Sequence, residues 1–221
     1  MKSKTLFWLI VWLFLLQSCS IQREIVDRPI VFDQERIKLT KEYLAQRYNL
    51  VQDTPEIIPK MVVLHWTAIP TLEKSFEAFE KSTLPNWRPD IESVSGLNVS
   101  SHFLVDQDGT IYRLMPETTM ARHVIGLNHC AIGIENVGGT SETPLTKEQL
   151  KSNIFLVRYL TEKYPIEYVV GHLEYTQFEG HPLWLEVDDS YRTKKTDPGM
   201  DFMQKVRRAT RKLSFKPVPT K

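Results

Sequence analysis

Four short stretches of apolar, largely β-branched residues constrain this chain more than any other feature. They are "MVVLHW" from Met61, "SSHFLVDQDGTIYRLM" from Ser100, "AIGIENV" from Ala131 and "IEYVVGH" from Ile166. Runs this short, bounded by polar and turn residues, read as strands, and the second reads as a hairpin turning at Asp108 and Gly109. Helix-length patterns lie between them. "TKEQLKSNIFLVRYLTEKY" carries Leu150, Ile154, Val157 and Leu160 at helical intervals, and Thr146 and Gln149 have the spacing of a capping box. "TLEKSFEAFEKS" predicts a helix with Phe76 and Phe79 inward, and "DQERIKLTKEYLAQRY" one with Ile37, Leu44 and Tyr48 on a single face. Strands that interleave with helices yet include a hairpin imply one α/β domain, a central mixed sheet flanked by helices.

The N-terminus carries an address. Lys2 and Lys4 precede an apolar run of 11 residues, Leu6 to Leu16, too short to span a bilayer and suited to a signal-peptide core. "LQSC" then resembles the lipobox of bacterial lipoproteins, with Gln17 in place of the usual small or aliphatic residue. That resemblance implies removal of residues 1–18, lipidation of Cys19 and anchoring in the bacterial envelope, at the outer membrane or periplasm. The expected organisation continues with a linker over 19–32, a helical extension over 33–58, a catalytic domain over 59–213 and a tail over 214–221. Losing Lys2 and Lys4 takes the 28 cations to 26 against 27 acids, so the exported chain is nearly neutral. Nothing in that balance demands nucleic acid. The basic residues of "DFMQKVRRATRKL" form the solvated face of a helix whose Phe202, Met203, Val206 and Leu213 turn inward. With Cys19 lipidated, Cys130 has no disulfide partner, and an exported monomer of this size must rest on its own core or on a metal.

His65 and His172 close two of the apolar runs, and strand ends are where rigid scaffolds place chemistry. In "RTKKTDPG", Pro198 biases Asp197 away from the helical region and Gly199 permits a tight turn, so the Asp197 carboxylate is held in a defined direction. Two imidazoles and a carboxylate satisfy a catalytic zinc site, which takes three protein ligands and leaves a position open.

"VVLHWTA", "VSSHFLVDQDGTIYRLMPE", "ARHVIG", "NHCAIGIENVG", "VVGH" and "KTDPG" together resemble the zinc-dependent N-acetylmuramoyl-L-alanine amidases of type 2, relatives of peptidoglycan recognition proteins. The resemblance runs from about Met61 to Val206. It implies that His65, His172 and Asp197 bind Zn2+, that Glu135 is the catalytic glutamate and that Lys195 is the catalytic lysine. It places His102 and His123 along the cleft or behind the ligands, and makes Asn128 the residue that fixes the loop before the Glu135 strand. His129 and His181 are expected to be non-ligands. Residues 173–192 depart from the compact pattern by insertion. Asp188 and Asp189 therefore compete for the third ligand position, with Asp197 preferred for its Lys and Pro-Gly context. The activity implied is hydrolysis of the amide between N-acetylmuramic acid and L-alanine in peptidoglycan or muropeptides. The alternatives are a non-catalytic peptidoglycan-binding protein and a zinc hydrolase of another amide.

Overall fold

The computed structural model of the chain describes residues 23–85, 91 and 94–220, and the expected signal segment and lipidation site Cys19 lie outside them. Among the described residues six strands form one mixed sheet: β1 (Ile25–Asp27), β2 (Met61–Leu64), β3 (Phe103–Val105), β4 (Ile111–Arg113), β5 (Ala131–Asn136) and β6 (Tyr168–Gly171). Their order is β1-β4-β3-β5-β2-β6; β3 and β4 form the antiparallel hairpin and every other pairing is parallel. The α-helices described beside it are α1 (Gln34–Tyr48), α2 (Leu72–Glu80), α3 (Lys147–Lys163) and α4 (Met200–Thr210). No helix among the described residues is long and apolar enough to cross a membrane.

Strand parity sorts the side chains. Val62, Leu64, Ile132, Ile134, Phe103 and Val169 pack beneath α3 and α4, against Leu156, Val157, Leu160, Phe202, Met203 and Val206. The alternate residues Met61, Val63, Ala131, Tyr168 and Val170 face the opposite side. Continuing that alternation puts His65, Glu135 and His172 on the side away from α3 and α4. There α2 contributes Phe76 and Phe79 to a separate cluster with Leu104 and Leu114. The α3 capping box forms as expected, Thr146 and Gln149 bonding reciprocally.

Three expectations change. The presumed linker 19–32 contains β1, pairing in parallel with β4 through Ile25 and Ile111, and Arg23 just before it donates to Ser152 Oγ at 2.7 Å and pairs with Glu148 at 3.0 Å. Helix α1 buries Arg36, Thr40, Tyr43, Leu44 and Tyr48, while Ile37 is only half-buried. The fully enclosed Arg36 guanidinium donates to the carbonyls of Val31, Phe79, Glu80 and Lys81, closing the end of α2. The tail is not free either, since Lys216 N–H donates to Glu167 O at 2.9 Å and Phe215 packs on the core.

Candidate active site

Leu64 is the register partner of Gly171, so the residues that follow, His65 and His172, leave adjacent parallel strands side by side. Their Nδ1 atoms stand 2.9 Å apart. Asp197 Oδ2 completes the triangle, 3.2 Å from His65 Nδ1 and 3.0 Å from His172 Nδ1. The Asp197 turn is held by its own carbonyl, which accepts from Leu173 N–H at 2.8 Å, and by Gly199, whose φ of 86° lets the chain enter α4 at once. All three side chains are buried.

Burial and the neighbouring His65 push His172 down to about 4, against the pull of Asp197. Burial would raise the Asp197 carboxyl, but the close approach of the His172 and His65 imidazoles outweighs it and holds it well below the usual carboxylate range. At neutral pH His172 is therefore a neutral imidazole and Asp197 a carboxylate. Ligand atoms about 2.0 to 2.1 Å from a tetrahedral zinc stand about 3.3 Å from one another. The observed separations fall just inside that spacing, so the three residues fit a zinc ion with small shifts.

Glu135 stands across from His65 on the neighbouring strand. His65 N–H donates to Ile134 O at 2.9 Å and Asn136 N–H to His65 O at 3.2 Å, which brackets Glu135. A cleft of about 350 Å³ brings Glu135, His172, Lys195 and Asp197 together with Trp66, Arg122 and His123. A smaller arm of about 70 Å³ continues between Lys195, Arg122, Tyr43 and Tyr191.

The remaining expected residues separate clearly. His123 lines the cleft, and its Nδ1 lies 3.0 Å from His65 Nε2. Burial first, then the nearby His65, hold its pKa well below the ordinary value. Asn128 Oδ1 accepts from the backbone N–H groups of His123 and Val124, and its Nδ2 donates to Tyr48 Oη, so it anchors the His123 loop to α1. His102 does not reach the cleft: it is fully buried, takes the Gly133 N–H on Nδ1 and donates from Nε2 to Thr119 O. Its role is to tie β5 to the chain after β4. Asp188 pairs with Arg47, and neither it nor Asp189 joins the two histidines. His181 meets Tyr168 Oη and His129 packs on Tyr48, both away from the triangle. In the insertion, Tyr175 and Phe178 are core residues, Trp184 packs on Gly126, and Tyr191 alone of its aromatics reaches the cleft.

Sequence reasoning passed over Asn136. Its Nδ2 donates to His65 O at 2.8 Å while its Oδ1 accepts from Asn153 at 2.7 Å, so a buried amide pair fixes the backbone that carries His65. Two asparagines on otherwise apolar faces were the available signal. Arg122, buried and donating to the carbonyls of Ile91, Ser95 and Leu97, was also missed.

A sequence profile of the N-acetylmuramoyl-L-alanine amidases matches residues 39–200. The chain belongs to this amidase family. The match begins inside α1, so that helix, expected to be an extension, is partly included in the family domain. Among solved structures, N-acetylmuramoyl-L-alanine amidase LysC from Clostridium intestinale URNW is 24% identical, covering 87% of this chain and 99% of that one, with a TM-score of 0.53. A selenomethionine derivative of AmpD is 22% identical, with 84% and 94% coverage and a TM-score of 0.51. Bumblebee PGRP-SA is 16% identical, with 89% and 99% coverage and a TM-score of 0.50. These likenesses establish the amidase fold. No curated protein matches in sequence.

Proposed function

We propose that this amidase is a zinc-dependent hydrolase of the bond between the lactyl group of N-acetylmuramic acid and the L-alanine of the stem peptide. The observation that carries the reading is the meeting of His65 Nδ1, His172 Nδ1 and Asp197 Oδ2 on a cleft that also presents Glu135 and Lys195. Zinc bound by those three residues would polarise the scissile carbonyl and lower the pKa of water towards about 7. Glu135 takes the proton of the attacking water and returns it to the leaving nitrogen of L-alanine. Lys195, half-buried at the mouth, donates to the carbonyl oxygen as negative charge grows there. Trp66 and Phe79 supply apolar walls on which the substrate's less polar faces can lie. Incubating the protein with purified muropeptides tests this: it should release free glycan and free peptide, and a chelator should stop it. Stoichiometric zinc and tight muropeptide binding without cleavage would instead make it a recognition module.

We also infer that Cys19 carries the lipid and holds the domain in the cell envelope. Only four residue steps separate Cys19 from Arg23, which is already bonded to α3. Fully extended, they reach about 14 Å, so the sheet edge stays close to the bilayer. Cys19→Ala should abolish incorporation of labelled fatty acid and release the protein from membranes; retention of label on the variant would reject the anchor.

A further inference from the structure

Behind the proposed zinc ligands lies a chain of hydrogen bonds whose direction can be read from one end. His123 Nε2 lies 3.2 Å from the carbonyl oxygen of Ala131, and His123 Nδ1 lies 3.0 Å from His65 Nε2. A carbonyl oxygen only accepts, so the Ala131 contact needs a proton on His123 Nε2. In a neutral imidazole that leaves His123 Nδ1 as an acceptor, and the His65 atom facing it must then be Nε2–H. His65 Nδ1 is left with a lone pair, so of the two nitrogens beside the Asp197 carboxylate it is His172 Nδ1 that carries the hydrogen, and His65 Nδ1 faces the cluster as an acceptor.

We propose that His123 is a positioning residue that fixes the tautomer and ring plane of His65 for metal binding. A carboxylate, carbonyl or water usually receives the outer N–H of a ligating histidine. Here a second histidine does so, and the backbone of β5 sets that histidine's own tautomer. Two features of the fold hold the relay in place. Asn128 clamps the backbone of His123, accepting from His123 N–H at 2.9 Å. Gly133 leaves open the space over β5 that the His123 ring occupies: a Cβ built there would stand 2.9 Å from His123 Cγ and 2.9 Å from Ser101 Oγ. Thus a glycine inside a central strand, where it contributes no packing of its own, makes room for the ring.

The inference rests on reading His65 as a metal ligand, and its test separates the two claims. In the zinc-free protein, nitrogen-15 NMR of the imidazoles should show His65 as the Nε2–H tautomer in the wild type and as a mixture in His123→Leu. Zinc affinity, measured by competition with a chromophoric chelator, should fall about 10- to 100-fold in His123→Leu, the usual loss when the group behind a metal ligand is removed. His123→Asn, which keeps an acceptor near the Nδ1 position, should recover most of that loss. Gly133→Ala, which keeps the relay's own groups and crowds the His123 ring together with Ser101 Oγ, should weaken zinc in the same direction. A His65 Nδ1–H tautomer in the wild type, or unchanged zinc affinity in both His123→Leu and Gly133→Ala, would overturn the proposal. Absence of zinc binding by the wild type with His65 in its Nε2–H form would reject the metal reading while leaving the relay standing.

Discussion

His65 Nδ1 lies 2.9 Å from His172 Nδ1 because the strands that carry them run parallel with Leu64 opposite Gly171. Two imidazole nitrogens aimed at each other, with the Asp197 carboxylate 3.0 to 3.2 Å from both, form a cluster that a cation relieves. Asp197→Asn keeps the shape and removes the charge. We expect it to lower zinc affinity by more than the roughly 10- to 100-fold typical of groups behind the ligands. Titration with zinc under a competing chelator checks this, with circular dichroism confirming an intact fold.

Glu135 and Lys195 should separate from the ligands in their effects. Glu135→Gln is expected to reduce kcat by about 10² to 10⁴, the usual contribution of a positioned acid-base group. Lys195→Ala should cost about 10² to 10³ by loss of oxyanion stabilisation. Zinc content should stay at one per chain in both. Parallel loss of metal and turnover would reassign them as metal-site residues.

Acid should destabilise the fold through His102. Burial drives its pKa down to about 4, whereas in the unfolded chain it titrates near 6.5. Below pH 6.5 the unfolded state therefore binds a proton that the folded state refuses, so stability is full above that pH and falls as the pH drops towards 4. The gap corresponds to about 3 kcal/mol. His102→Asn should lose stability at pH 7 and show a shallower decline between pH 6.5 and 4. Denaturant unfolding across that range measures both.

Arg36 should matter for stability and not for chemistry. Its guanidinium is enclosed and donates to four carbonyls around the end of α2. Arg36→Met leaves those acceptors without their donor, at about 1 to 3 kcal/mol for each one that water does not reach. A lower Tm with unchanged kcat on the folded fraction is the expected outcome.

The contrast between Arg36 and His65 shows what the sequence makes legible. His65 and His172 close apolar runs, and strand parity alone puts them on one side of the sheet, so their convergence follows from local pattern plus a single register. Asp197 is marked by Pro198 and Gly199, whose backbone preferences are local. Glu135, by contrast, is an acid inside a buried strand, and only the family resemblance gives it a role. Arg36 reads as one more polar residue on a helix because its partners at Phe79 and Lys81 lie 43 and 45 residues away. Strand β1 is three residues long, too short for any period to register, and its partner begins at Ile111. The His123 relay depends on which nitrogen faces which carbonyl, a matter of ring orientation that no spacing encodes.

The most direct test digests a defined muropeptide with the zinc-loaded protein in oxygen-18 water and weighs the products. The account predicts one heavy oxygen in the lactyl carboxylate of the sugar product and a peptide with a free L-alanine amine, both lost on chelation and restored by zinc. Cleavage at any other bond, or the same products in equal yield from chelated protein, would contradict it.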